Sequence, residues 1–124
     1  MANLGLTKTF TATGAIPAYS LVKFGSNDGE VVAAAAATDK IIGVSTEIAA
    51  ASGERCDVQV DDIAFVLLGG SVTRGDLLTS DANGAGVTAA PAAGANNRII
   101  GIAMKSGASG DVIDVLIAPG SVQG

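Results

Sequence analysis

The sequence has no histidine, no tryptophan, one tyrosine and one cysteine. Without histidine, the chain lacks the commonest general base and metal ligand of proteins. A single cysteine excludes both an intrachain disulfide framework and a zinc site built from several thiolates. These absences argue against an enzyme, so we expect no catalytic residue, no cofactor and no metal.

Positive charge is also scarce: seven Lys and Arg stand against twelve Asp and Glu, for a net charge of −5. Binding to nucleic-acid phosphates needs a basic face, so no nucleic-acid partner is expected. The longest apolar run, residues 31–37, falls far short of the roughly 20 residues that cross a bilayer. The N-terminus lacks a basic segment followed by an apolar one, so neither a signal peptide nor a membrane partner is expected.

What the sequence has in abundance is small residues, since 23 alanines and 17 glycines make up 40 of its 124 positions. The larger apolar residues come in short, often β-branched runs separated by turns rich in Gly, Asn and Asp, such as residues 25–29. Residues 56–60 alternate with a period of two, as a half-buried strand does. Runs about 8–12 residues apart are typical of a sandwich or barrel. The pattern predicts a single all-β domain with little helix.

The chain repeats itself with an offset of about 57 residues. Three blocks recur in the same order: residues 21–22 at 77–78, residues 40–44 at 98–102, and residues 53–60 at 110–117. The repeat predicts two similar halves, residues 15–60 and 71–118, each too poor in large apolar side chains to fold alone. Gly43 and Gly101 fall inside β-branched runs, which predicts a bulge or a close backbone approach at both.

Residues 3–13 alternate strongly ahead of the first repeat. Residues 1–13 are therefore predicted to form an extended arm or strand, followed by the β domain, residues 14–124. Two interpretations stay open. The segment adds a strand to the sheet edge of a partner, or it is the first strand of the domain's own sheet. Its only suggested counterpart in the second half is the run of residues 63–68.

Other patterns favour ordinary structural roles. The acidic group of Glu54, Asp57, Asp61 and Asp62 lacks the spacing of a calcium loop and is interpreted as a solvated turn. The tripeptide of residues 74–76, Arg-Gly-Asp, is interpreted as a turn before a strand. Cys56 aligns with the aliphatic Ile113 in the repeat, so we expect a buried small side chain rather than a nucleophile.

Four segments carry a resemblance to a known family: residues 14–23, 40–44, 72–79 and 98–103. Over residues 7–118 the chain resembles the capsid cement, or head decoration, proteins of tailed bacteriophages. It departs from the family pattern at Tyr19, where a glycine is usual and where the second half has Gly75. The resemblance implies a small β-barrel, β-tulip or sandwich.

The same resemblance implies a structural virion protein on the capsid exterior, made in the host bacterial cytoplasm. It would clamp adjacent major capsid proteins, commonly as a homotrimer. The candidate capsid-binding residues lie in the N-terminal segment: Leu4, Leu6, Thr7, Lys8, Thr9 and Phe10. The candidate subunit interface is a run without strict alternation, which predicts burial on both faces: Ile63, Phe65, Val66 and Leu67.

The alternative function is a carbohydrate- or receptor-binding β module of a virion spike or adhesin. Sugar rings usually stack on aromatic faces, and this chain has no tryptophan. The aromatic rings available are those of Phe10, Tyr19, Phe24 and Phe65. Their scarcity makes this function the weaker of the two.

Overall fold

A computed structural model describes residues 6–124, and over that range the chain contains strands and loops but no helix. The all-β prediction is confirmed. Ten strands follow one another: β1 (Thr7–Ala12), β2 (Leu21–Phe24), β3 (Glu30–Ala33), β4 (Ile41–Ser45), β5 (Arg55–Gln59), β6 (Ile63–Leu67), β7 (Leu77–Ser80), β8 (Gly86–Thr88), β9 (Asn96–Ala103) and β10 (Val112–Gln123).

The first five strands form a closed barrel in the order β1-β3-β2-β4-β5. The last five form a sheet in the order β6-β10-β9-β7-β8. We call β1–β5 the first half and β6–β10 the second half. Strand β1 closes the barrel because it pairs antiparallel with β5 on one side and parallel with β3 on the other. Residues 7–12 are therefore a strand of the domain's own sheet.

The two halves repeat the same strand pairing, register by register. Leu21 pairs with Val44 between β2 and β4, and Leu77 pairs with Ile102 between β7 and β9. Likewise Thr7 faces Gln59 between β1 and β5, as Ile63 faces Leu116 between β6 and β10. Strand β6 is thus the counterpart of β1, and the second half repeats the first as the sequence offset predicted.

The two halves differ in the hydrogen bonds that join the first strand of each sheet to its opposite edge. In the first half the Thr11 amide donates to the Gly29 carbonyl, which ties β1 to the β2–β3 turn. The corresponding groups of the second half do not bond each other. The Leu67 amide donates to the Tyr19 carbonyl at 3.0 Å, and the Gly84 carbonyl accepts from the Leu21 amide at 2.8 Å. Residues 19–21 of the first half therefore lie between β6 and the β7–β8 turn and complete the second sheet.

Tyr19 holds this connection in an unusual backbone conformation, with φ of 58°. Its repeat counterpart, Gly75, has φ of 95°. A residue with a side chain pays roughly 1–2 kcal/mol there, whereas glycine does not. The ring of Tyr19 packs edge-on against Phe65, with 6.4 Å between ring centroids, which offsets part of that strain. The departure from the family pattern at Tyr19 therefore makes a contact between the halves.

The hydrophobic core is unequally divided. One cluster lies inside the barrel and draws on the first half alone, with Phe10, Val22, Val31 and Val58 among its members. The other is shared between the halves. The first half contributes Leu21, Ala34, Ile41 and Val44, which pack against Ala64, Val66, Leu68, Val72, Leu78, Ile100, Ala103, Ile113, Val115 and Ile117. The second half is thus covered by the outer face of the first.

The two glycines inside β-branched runs lie against neighbouring backbone, as predicted. A Cβ on Gly43 would collide with the Gln59 carbonyl oxygen, and one on Gly101 would collide with the Leu116 carbonyl oxygen. The β2–β4 register also shifts beside Gly43, which leaves Ile42 as an extra residue in the strand. Only a residue without a side chain lets the strands approach this closely.

Candidate functional site

The predicted N-terminal contact residues divide into exposed and buried groups. Leu4 lies outside the described residues. Leu6 is 64% exposed, and Thr7, Lys8 and Thr9 are exposed as well. Phe10 is 7% exposed and packs in the barrel interior. The side chain of Phe10 therefore belongs to the core, because β1 alternates and turns Phe10 and Ala12 inward.

The outer face of the barrel beside β1 is polar and internally paired. The Thr9 hydroxyl donates to Asp57 Oδ1 at 2.7 Å, and Arg55 forms an ion pair with the same carboxylate at 3.3 Å. The Arg55 hydrogen bond, followed by that from Thr9, holds the pKa of Asp57 below its usual range. Over residues 6–124, no group of three or more Asp, Glu, Cys or His side chains is placed to share a metal ion.

The predicted subunit-contact residues lie on both faces of β6. Val66 is fully buried in the shared core, whereas Ile63 is 38% exposed, and Phe65 and Leu67 are half-buried. Within the single chain β6 alternates, with Ala64 and Val66 inward, so burial of its other face at a subunit interface stays a prediction. The predicted run therefore offers a partner the side chains of Ile63, Phe65 and Leu67 but not that of Val66.

Strand pairing extends this outer face into an apolar row that the sequence analysis missed. Ile63 of β6 faces Leu116 of β10, which faces Ile102 of β9, which faces Leu77 of β7. We call these four residues the apolar row. Its first three members are each more than a third exposed. Met104, directly after β9, and Val112, at the start of β10, are also exposed.

A second exposed surface lies on the barrel, where β1, the end of β2 and the β2–β3 turn meet. It is an open depression of about 500 Å³, which we call the aromatic depression. Phe24 is 56% exposed there and meets Phe10 edge-on, with 6.2 Å between ring centroids. The Lys8 ammonium lies 5.6 Å from the Phe10 ring centre. The surface is lined by Lys8, Phe10, Phe24, Gly25, Ser26, Asn27, Asp28 and Gly29.

Cys56 is buried on β5, as predicted, at 2% exposure. Burial, followed by the neighbouring Asp57 carboxylate, raises the pKa of its thiol. A raised pKa leaves little thiolate at neutral pH, and the thiolate is the reactive form. The remaining motif, residues 74–76, forms a turn whose Gly75 has positive φ.

The chain is a small all-β protein of two like halves, and exposed apolar surfaces such as these are typical of proteins that bind other molecules through their surface. Comparison with known proteins identifies the family. A family model described as phage cement protein matches residues 2–118, and the chain belongs to that family. It is therefore a structural protein of the virion that binds the phage capsid.

The solved structures include a close likeness in fold. The chain is similar to the N base of head fiber gp8.5 of bacteriophage phi29, with a TM-score of 0.71 and 19% identity. The alignment covers 96% of this chain and 98% of that one. At this identity the likeness establishes the fold alone. No curated protein sequence matches the chain, and within residues 6–124 no helix is long and apolar enough to cross a membrane.

Proposed function

We propose that the protein clamps adjacent copies of the major capsid protein from the capsid exterior, acting as a homo-oligomer. The family match over residues 2–118 carries this proposal. Each contact of a small protein is weak by itself. When joined subunits engage neighbouring capsomers together, the later contacts become effectively intramolecular, and the whole assembly binds far more tightly than one contact does.

We propose that the capsid contact is made beside the start of β1, at Leu6, Thr7, Lys8 and Thr9, and by Leu4 ahead of them. What supports this is the exposure of Leu6, Thr7, Lys8 and Thr9, the last three of which are fixed in place by pairing with β5. A rigid strand loses little conformational entropy when a partner binds it. Leu6 in particular exposes a large apolar side chain at the entry to the barrel.

We also propose that this role involves no catalysis. The sequence has no histidine, and the lone cysteine is buried with a raised pKa. The Asp57 carboxylate is engaged by Arg55 and Thr9, so it is held as an ionised, paired group rather than as a proton donor or acceptor.

The capsid contact is tested by replacing Leu6 with serine. We expect the variant to bind capsids about tenfold to a hundredfold more weakly, because losing the burial of a leucine side chain costs about 1.5–3 kcal/mol. The matched control is Ile48→Ser, since Ile48 is an equally exposed apolar residue in the loop between β4 and β5. Co-sedimentation with capsids that lack the protein, over a range of protein concentrations, gives both affinities.

Equal losses in the two variants, or no loss in Leu6→Ser, would place the capsid contact elsewhere on the chain. A glycan-binding assay on the same preparations tests the alternative function. Binding to sugars without binding to capsids would favour a receptor-binding module. Removing β1 itself is not a usable test, because that strand closes the barrel.

A further inference from the structure

The interface between the two halves is formed by two different surfaces, one on each half. Because the halves are repeats, each half also carries a counterpart of the surface that the other half uses there. On the first half, the row equivalent to the apolar row consists of Thr7, Gln59, Val44 and Leu21. Val44 and Leu21 are fully buried in the core shared with the second half. The Gln59 amide is also covered, and it donates to the carbonyls of Asp61 and Ile63. This side of the interface is therefore occupied within the chain.

The equivalent surface of the second half, the apolar row, is exposed. Leu77 stands where the first half has Leu21, and Ile102 stands where it has Val44. The chemistry is the same, but Ile102 is 36% exposed where Val44 is fully buried. An aliphatic surface that one half buries against its neighbour thus recurs on the other half without a cover among residues 6–124.

The opposite side of the interface recurs in the same way. On the second half, Ala64 and Val66 of β6 lie in the shared core, and Gly84 of the β7–β8 turn accepts from Leu21. By register, Ala64 and Val66 correspond to Lys8 and Phe10 on β1. The β7–β8 turn corresponds to the β2–β3 turn. Lys8 and the β2–β3 turn are exposed at the aromatic depression, whereas Phe10 lines it with a side chain that is 7% exposed and packs in the barrel core.

We propose that the apolar row of one subunit packs on the aromatic depression of a second copy of this chain. Within the chain, the row of the first half already packs on the second half. The apolar row of the second half and the aromatic depression of the first half take no part in that contact. Such a contact is heterologous: it joins different surfaces of the two copies, so it closes into a ring or continues as a filament. The depression is lined by one charge of each sign, Lys8 and Asp28, and Asp114 lies beside the apolar row, so Lys8 is the group there that can pair with Asp114.

The contact between copies is weaker than the one within the chain. In the second half, residues 19–21 bond to the free backbone groups of Leu67 and Gly84. The equivalent groups of the first half, the Thr11 amide and the Gly29 carbonyl, already bond each other. The second copy is therefore held by side chains, without the added backbone hydrogen bonds. Weak, concentration-dependent association suits a protein that assembles on a lattice of capsomers.

Two single variants and their mixture test this arrangement by sedimentation velocity over a wide concentration range. Ile102→Asp places a carboxylate in the apolar row, and Phe24→Asp places one in the aromatic depression. Each variant is expected to self-associate about 100-fold or more weakly, because the contact would bury that carboxylate without a partner. An equimolar mixture retains one intact pair of surfaces, so it should form a heterodimer and stop there. Ile48→Asp, outside both surfaces, should associate like the wild type.

A wild-type chain that stays monomeric at every concentration overturns the proposal. So does normal association of Phe24→Asp alone, which indicates that the row packs on another row. Leu116→Asp serves as a second row variant if circular dichroism shows that Ile102→Asp is misfolded. This inference rests on the homo-oligomer of the proposed function, but the two fail separately: wild-type co-sedimentation with capsids reports the function, and sedimentation without capsids reports the contact between copies.

Discussion

Gly43→Ala is expected to lower the free energy of unfolding by about 3 kcal/mol, the upper end of the usual cost of overpacking. A Cβ at this position would meet the backbone carbonyl oxygen of Gln59 and the side chain of Val58. The backbone of β5 cannot move aside, because β1 and β4 pair with it on either side. Urea unfolding followed by circular dichroism, with the slope compared between variants, measures the change.

Gly70→Ala is the matched control. A Cβ there would touch only the Val87 side chain at 3.6 Å, an ordinary van der Waals distance. We expect its free energy of unfolding to stay within about 0.5 kcal/mol of the wild type. A Gly43→Ala variant as stable as Gly70→Ala would mean that β4 and β5 do not approach as closely as described.

Leu21→Ala is expected to cost about 2–5 kcal/mol, whereas Leu77→Ala should cost less than about 1 kcal/mol. The two leucines occupy the same register position in the two halves. Leu21 is fully buried in the core shared between the halves, and its loss leaves a cavity at their junction. Leu77 is half-buried on the open row. Urea unfolding at a concentration where the protein is monomeric compares them directly.

Equal losses in the two leucine variants would contradict the unequal roles of the halves. They would indicate either that the junction is not packed as described or that the apolar row is covered even in the monomer. The comparison is well controlled because the same side chain is removed from equivalent strands. The difference between the two values therefore reports the cover supplied by the other half.

Much of the fold was predictable because it depends on local pattern. The short runs between Gly, Asn and Asp turns predicted strands, and the offset of about 57 residues predicted two like halves. The glycines at 43 and 101 predicted close backbone contacts, which the structure confirms. Only the first half forms a continuous barrel, while the second half is joined across the same gap by the single bridge between Leu68 and Gly86. This difference was not predictable, since both halves have the same strand order. It depends on residues 19–21 entering between Leu67 and Gly84, a tertiary contact with no periodic signal.

The candidate surfaces were harder to predict than the fold. Alternation says which residues share a face, but it does not say which face is covered when both carry apolar side chains. Val66 and Ile63 both belong to one apolar run, yet only Ile63 is exposed. Ile102 and Leu116 were missed for the same reason, since each lies in a strand rich in aliphatic residues. The repeat does contain a signal for the apolar row, because equivalent positions become more apolar in the second half. The first half has Thr7, Gln59, Val44 and Leu21 where the second half has Ile63, Leu116, Ile102 and Leu77.

The stability of DNA-filled capsids tests the central claim, that this chain is a capsid-binding structural protein, most directly. Capsids lacking the protein would be heated with increasing amounts of it, while a dye reports the release of DNA. The account predicts that the release temperature rises with the number of bound copies and levels off when the capsid sites are full. Saturable binding without any rise in release temperature, or no binding at all, would contradict it.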